Sequence, residues 1–350
     1  MPTYREMMEK KELLDFSQNF GVARTYMGSA LFPDRKAQYI QAEYFRFVQN
    51  GTLPQSAMVH SFDTEAHIAS RIPLERMSVE QLLIKEKINQ TEEIRKITNG
   101  MQIDNVRQYV FDDIARMAEM VVTRAERAKM EVVATGKMTI AENDIDMVID
   151  YGVPDANRVK GDWDDPNADI LGDLDEWRAL ARANGVNPNR IITTEAVVSK
   201  IKRNATVQKA ISGVSGAGIL PTLEKINALL QEHVGMTIAT NDGYYGVPAA
   251  NSAGKVIIGQ ERYFPENTLV MVAIGPNGSL GTGLWGVTPE EEAVGGTFNS
   301  LRQQQFVTVT QWPDQDPVGV WTKASGVFVP VLPNVYGHVI ADLTGTGAAG

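Results

Sequence analysis

Residues 103–135 carry apolar side chains at Ile103, Val106, Val110, Ile114, Met117, Val121, Ala125, Ala128 and Val132, each three or four positions after the last. That spacing gathers them on one face of a helix. Neither Gly nor Pro interrupts the run, and Gly136 stands where a left-handed C-terminal cap belongs. At 1.5 Å rise per residue the predicted rod spans roughly 50 Å, well beyond the three or four turns of an average helix. A helix of this length is a mechanical brace, and it bears no catalytic arrangement. It gives way directly to Ile145, Met147, Ile149 and Tyr151 alternating with Asp144, Asp146 and Asp150, which predicts a half-buried strand.

The segments before the rod are thin. Residues 1–31 read as an arm: a short helix from about Met7 to Phe20, then a stretch through Gly21 and Gly28. From Phe32-Pro33 to about Arg76 the chain reads as a two-stranded excursion. Ala37, Tyr39 and Phe45 to Val48 form its outward path, Asn50-Gly51 a turn, and Met58 to Phe62 a returning strand. Its apolar content is too sparse for a core of its own, and an isolated hairpin is marginal in water. Ser78-Val79-Glu80-Gln81 has the capping-box pattern and predicts a helix to about Asn89.

Beyond the rod the character is mixed. Asp165-Pro166 introduces a predicted helix with Leu171, Leu174, Trp177 and Leu180, ending near Asn184-Gly185. Arg190 to Thr193 reads as a strand and Thr194 to Lys202 as a helix. Pro221 to His233 reads as another, opened by Pro in its first turn. Lys255 to Ile258 and Thr268 to Ile274 read as strands, and Pro276-Asn277-Gly278 is expected to turn the latter into Gly281 to Val287. Phe306 to Thr310 and Val327 to Leu343 are extended, with Pro330 and Pro333 confining part of the latter to an edge or irregular segment.

Composition excludes several classes. With 350 residues there is room for two or three domains. Cysteine is absent, which removes disulfides, thiolate metal sites and cysteine catalysis. The first twenty residues mix Arg5, Lys10 and Lys11 with Glu6, Glu9 and Glu12 and lack a signal-peptide core. No window reaches the ~18 consecutive apolar residues of a membrane span. A net charge of −10 argues against an electrostatic grip on nucleic acid as a property of the whole molecule.

Candidate chemistry is sparse. Gly281-Thr282-Gly283-Leu284-Trp285-Gly286 matches the dinucleotide-binding spacing, but that mechanism needs a helix N-terminus within the motif, and here the glycines fall in an apparent hairpin arm. Gly213 to Gly218 precedes a helix without the Gly-Lys-Ser/Thr end of a phosphate loop. Asp162, Asp164, Asp165, Asn167, Asp169, Asp173 and Asp175 fail the EF-hand pattern and suit a helix N-terminus instead. His60 and His67, with Asp63 and Glu65 between them, would fall on opposite faces of a strand; His233 and His338 are isolated. The fourteen Met residues read first as core filling. No catalytic, cofactor-binding or metal residue is therefore assigned, and no cofactor is expected.

The order of parts resembles the major capsid proteins of tailed bacteriophages, particularly the lambda-type major capsid protein E family. The resemblance is carried by Phe32-Pro33 with Lys36 and Tyr39, and by Lys129 to Val133 through Gly136-Lys137. Asp165-Pro166, the helix with Trp177 and Arg190 to Lys202 continue it, as do Phe264 to Thr268 and Trp285 to Glu290. Thr322 to Ser325, Pro330, Val331 and Pro333 to Leu343 complete it. Gly213 to Gly254 matches least.

The resemblance implies an α+β, HK97-like phage capsid fold. In it residues 1–31 are the N-terminal arm and 32–77 the extended loop (E-loop). Residues 78–155 and 305–343 are the peripheral (P) domain with the spine helix and an antiparallel sheet, 156–304 the axial (A) domain and 344–350 a flexible tail. It implies a protein without enzymatic activity whose main partner is itself. Hexameric and pentameric capsomers, meeting through heterologous contacts, would close into an icosahedral head around double-stranded DNA, without sequence-specific binding and without a membrane. A scaffolding protein, a portal and a decoration protein are further partners in that picture, the host cytoplasm the site of assembly and the virion the destination. The same fold leaves an encapsulin-like cellular nanocompartment as an alternative, and Gly281 to Gly286 a remote nucleotide-binding enzyme.

Overall fold

The computed structural model describes residues 24–37, 41–47, 53, 56–57, 74–90, 103–142, 144–213, 218–250, 256–292, 299–303, 306–315 and 318–344. The predicted arm helix at Met7 to Phe20, the Asn50-Gly51 turn, the Met58 to Phe62 strand and His60 and His67 lie outside these residues.

In chain order the elements begin with α1 (Met27–Leu31), β1 (Asp34–Lys36), β2 (Gln41–Phe47), β3 (Leu74–Glu80), β4 (Leu82–Gln90) and α2 (Ile103–Thr135). There follow β5 (Lys137–Glu142), β6 (Ile145–Asp150), β7 (Arg158–Lys160), α3 (Ile170–Ala183), β8 (Arg190–Thr193), α4 (Glu195–Arg203), α5 (Ala205–Ser212), α6 (Leu223–His233) and β9 (Thr237–Thr240). The remainder comprises β10 (Tyr244–Ala250), β11 (Val256–Arg262), β12 (Thr268–Val272), β13 (Thr282–Trp285), α7 (Pro289–Glu292), β14 (Asn299–Gln303), β15 (Val307–Gln315), β16 (Val318–Val331) and β17 (Val339–Asp342). The chain folds as two compact units, residues 1–43, 78–129 and 282–331 in one, and 44–77, 130–281 and 332–350 in the other.

The first unit is built on the long strand β16. Its sheet runs β1-β13-β16-β15-β14, and β4 also pairs with β16. Most of the predicted rod, α2, belongs here. Its stripe residues Met117, Val121, Ala125 and Ala128 are buried. At Gly326 a side chain would meet Val121 Cγ1 and Trp285 at 2.8 Å, so the glycine lets the helix approach the sheet.

The predicted helix from Ser78 to Asn89 is instead strand. β4 makes an antiparallel ladder with β16 from Gln90↔Val320 to Leu82↔Phe328. Leu82, Ile84 and Ile88 are half-buried while Leu83, Lys85 and Lys87 are exposed, a period of two. A four-residue capping signal does not outweigh a ladder of that length. Residues 27–31, expected to be irregular arm, form the short helix α1. Pro330 lies beyond the last β4 pair, where it removes no donor needed by β4.

The second unit holds a five-stranded sheet, β7-β17-β12-β8-β9, mixed in direction because β17/β7 and β8/β9 pair in parallel. Its core joins Trp163, Leu174, Trp177, Ile201, Leu230 and Met271. Trp163 and Trp177 stack with centroids 5.5 Å apart. Asp169 caps α3 by accepting from Gly172 N at 3.1 Å, and Gly185 ends the segment at φ +78°. Thr194 caps α4, and Thr222 caps α6, so Pro221 precedes the cap rather than occupying the first turn.

Two further expectations change. The segments 268–274 and 281–287 do not form a hairpin, because β12 has both edges occupied, by β17 and β8. β13 instead pairs with β1 and β16. And the strand after Gly136 is preceded by a partner. β5 starts at Lys137 and pairs antiparallel with β6, putting Met138 opposite Ile149 and Ile140 opposite Met147. Among the described residues, no helix is long and apolar enough to cross a membrane.

Candidate functional site

Two polar anchors distinguish this chain from a plain hydrophobic packing, a buried one in the first unit and a partly exposed one in the second. The first starts at Lys129 on α2, whose ammonium is almost fully buried. A charge in that position needs close partners. Asp34 Oδ1, at the start of β1, lies 2.7 Å away and Ser29 Oγ of α1 accepts at 3.2 Å. The ring of Phe328 stands 5.5 Å from the ammonium. One turn earlier on α2, Glu126 Oε1 accepts from the backbone N–H of Gly28 at 2.6 Å. Burial raises the Glu126 carboxyl above its ordinary range, against the pull of the Gly28 N–H and the Lys129 charge. A Cβ at Gly28 would meet Glu126 Oε2 at 2.7 Å, so only glycine admits this approach.

The same segment is held again at β1. Asp34 and Lys36 stand beside Gly283 and Trp285 of β13 in parallel register. Lys36 Nζ donates to Glu291 at 3.0 and 3.1 Å. Glu291 accepts from Thr308 Oγ1 at 2.8 Å, and Thr308 and Thr288 share a hydrogen bond of 3.0 Å. Glu290 pairs with Lys323. Burial pushes the Glu290 carboxyl up, but the Lys323 hydrogen bond and charge carry it below its ordinary value. In the second unit, Arg46 of β2 pairs with Glu75 of β3 at 2.5 Å and donates to the Tyr151 carbonyl at 2.8 Å. These charges hold chain segments together.

The sequence-nominated groups fall elsewhere. Gly281 to Gly286 runs through β13, with no helix N-terminus in the motif. Gly283 is needed for packing, since a Cβ there would lie 2.5 Å from Asp34 Oδ1 and 3.1 Å from Lys129 Cε. The acidic run is dispersed over local tasks. Asp169 caps α3, Asp173 accepts from Trp163 Nε1 at 2.8 Å, Asp164 pairs with Lys200 at 2.9 Å and Asp175 with His233 at 3.0 Å. Among the described residues, no group of three or more His, Asp or Glu side chains is arranged to hold a metal. Gly213 and Gly218 adopt φ +72° and +94° at the two ends of a segment otherwise outside the described residues. His338 is buried with Nε2 2.7 Å from the Val133 carbonyl, and burial lowers its pKa to about 4.

Sequence reasoning missed Asp34, Glu126 and Lys129. Their one local signal was charge beside the apolar stripe, with Glu126 next to Ala125 and Lys129 next to Ala128.

Comparison with solved structures places the fold. The chain superposes on the putative capsid protein of an Escherichia coli CFT073 prophage with a TM-score of 0.60 at 15% identity, covering 96% of this chain and 99% of that one. It superposes on a phage-related protein of Bordetella bronchiseptica RB50 with a TM-score of 0.56 at 13% identity, covering 96% and 97%. The fold is α+β and HK97-like, that of phage capsid proteins. No curated protein matches the sequence. The family described as phage major capsid protein E matches residues 22–342, nearly the whole chain, including α2, both anchors and the strands that flank them. By that match the chain belongs to the phage major capsid protein E family, the proteins that form the head shell.

Proposed function

We propose that this chain self-assembles into hexameric and pentameric capsomers that close into the icosahedral head of a tailed phage around double-stranded DNA, and that it catalyses no reaction. The family match over residues 22–342 carries this reading. The anchors support it: Glu126 and the buried Lys129–Asp34 pair fix residues 28–36, and Arg46 with Glu75 joins β2 to β3. In this assignment residues 1–31 are the arm, 32–77 the extended loop, 78–155 and 305–343 the peripheral domain, 156–304 the axial domain and 344–350 a tail. Arm and loop lie across neighbouring subunits, where they gain the burial they lack alone. Assembly takes place in the host cytoplasm with a scaffolding protein and a portal.

Negative-stain microscopy of the expressed protein, alone and with its scaffolding partner, tests the proposal. Shells, tubes or capsomers are expected. Strictly monomeric protein under every assembly condition would overturn it.

A further inference from the structure

The sheet of the first unit has two unlike faces. One carries Ile84, Gly326 and Phe328, with Val121 of α2 close to Gly326 and Lys129 of α2 over Phe328. On the other, the register of β4, β16 and β15 places Leu83, Lys85 and Lys87 beside Trp321, and Trp321 directly opposite Trp312. The two indoles stack with centroids 6.5 Å apart and an interplanar angle of 17°. Lys87 Nζ stands 4.6 Å from the Trp321 centroid. Leu83, Lys85 and Lys87 are exposed and both indoles are partly so. Among the described residues no carboxylate pairs with Lys85 or Lys87. Trp321 Nε1 also donates to Asp314 Oδ2 at 3.3 Å, and Lys323, paired with Glu290, stands 5.8 Å from the Trp312 centroid. A half-open tryptophan pair with one carboxylate at its edge and the unpaired Lys85 and Lys87 along its other side has the composition of an interface centre rather than of an ordinary solvated face.

The second unit presents a surface of opposite character. The β5–β6 hairpin turns at Asp144, which takes φ +64°. Its inner side chains Met138 and Ile140 are buried, whereas Ile145 and Val148 are 52% and 55% exposed. Asp144 and Asp146 flank them, exposed and without an ion-pair partner among the described residues. Strand alternation puts Ile145 on the side of Met138 and Ile140 and Val148 on the opposite side with Asp146, so one side of the hairpin offers an exposed apolar residue beside a carboxylate, with Asp144 at the turn, to an indole pair with two ammonium groups. Copies that each carry a net charge of −10 repel, and contact requires places where opposite charges meet.

Resting on the shell-forming reading, we propose that the Leu83/Lys85/Lys87/Trp312/Trp321 face of one copy receives the β5–β6 hairpin of a second copy, with Asp144 and Asp146 meeting Lys85 and Lys87. The contact is heterologous, joining different patches of identical chains, so it propagates around a ring.

Charge exchange tests it. A face variant, Lys85→Glu with Lys87→Glu, and a hairpin variant, Asp144→Lys with Asp146→Lys, are purified, and circular dichroism and melting confirm that each is folded. Each alone should raise the protein concentration needed for assembly by about tenfold or more. Mixing the two should restore even-membered assemblies, hexamers and tubes, because in strict alternation a native hairpin meets a native face and a lysine hairpin meets a glutamate face; a five-membered ring keeps one mismatched contact. Raising the salt concentration should weaken wild-type assembly and narrow the gap to the variants. Folded variants that assemble like wild type, or a mixture that forms no hexamers or tubes under conditions where wild type does, overturn this contact and leave the shell reading standing. Wild-type protein that never assembles overturns the shell reading itself. Quenching of Trp312 and Trp321 fluorescence by a single-stranded oligonucleotide, with assembly unaffected by charge exchange, would give the face to nucleic acid and overturn the proposal.

Discussion

At the scale of single residues, this chain buries charge and imidazole where a plain core would have sufficed. Lys129 is neutralised by Asp34 and shielded by Phe328, and losing Asp34 would leave a buried cation without its counterion. His338 is a second case, with a sign that can be worked out. In the unfolded chain the imidazole takes up a proton below about 6.5, whereas in the fold burial delays this to about 4. Between those values the unfolded chain binds more protons, so stability is fully present above 6.5 and drains away as pH falls towards 4. The whole effect is roughly 3 kcal/mol. Urea midpoints of unassembled protein should therefore fall between pH 7 and pH 4.5, with His338→Gln showing a flatter slope. An identical slope in both would mean that His338 is not the group responsible. None of this was legible in the sequence, where His338 is an isolated histidine, because the carbonyl it meets belongs to Val133, 205 positions away.

At the scale of elements, α2, α3, α4 and α6 were legible, whereas α1, α5 and α7 were not foreseen. α2 spans Ile103–Thr135 as predicted, ending at Gly136, which adopts φ +68° and donates to Val132 O at 2.9 Å. Helix period and cap are local signals, and a chain of 33 residues repeats them many times over. α3 and α4 follow for the same reason, with Asp169 and Thr194 as caps. Strands are different. β4 has the right alternation in Leu82, Ile84 and Ile88, but the helix signal at Ser78 to Gln81 competes with it, and only β16 settles the matter.

The cap makes a sharp prediction. In Gly136→Ala the methyl would meet Val153 Cγ2 at 2.5 Å in a backbone conformation that disfavours side chains. A loss of about 3 kcal/mol is expected from strain and crowding together. Gly278→Ala has the same strain, at φ +76°, but open space around the methyl, and should cost only about 1 kcal/mol. Thermal melts of the two variants measure the difference, and equal losses would show that crowding at Val153 is relieved.

At the scale of the whole molecule, the proposed division of labour separates folding from assembly. Replacing residues 48–73 by a short Gly-Ser linker keeps β2 and β3 and the Arg46–Glu75 pair. The variant should keep the helical circular dichroism and melting of wild type, yet yield no closed shells in micrographs. Intact shells from it would remove the loop from assembly. What the amino-acid sequence determined by itself was the bracing helix, its cap, the helix–strand–helix run after Asp165 and the absence of cysteine chemistry. These rest on periodicities and capping residues read within a few turns of chain. Only the tertiary structure decided that β4 is a strand, that β13 leaves β12 for β1 and β16, and that Asp34 neutralises Lys129 while Lys36 meets Glu291. Those partners lie 95 and 255 positions apart in the chain, and a pairing across such a distance leaves no local period to read, because its free energy comes from burial and charge neutralisation that exist only once the chain has closed.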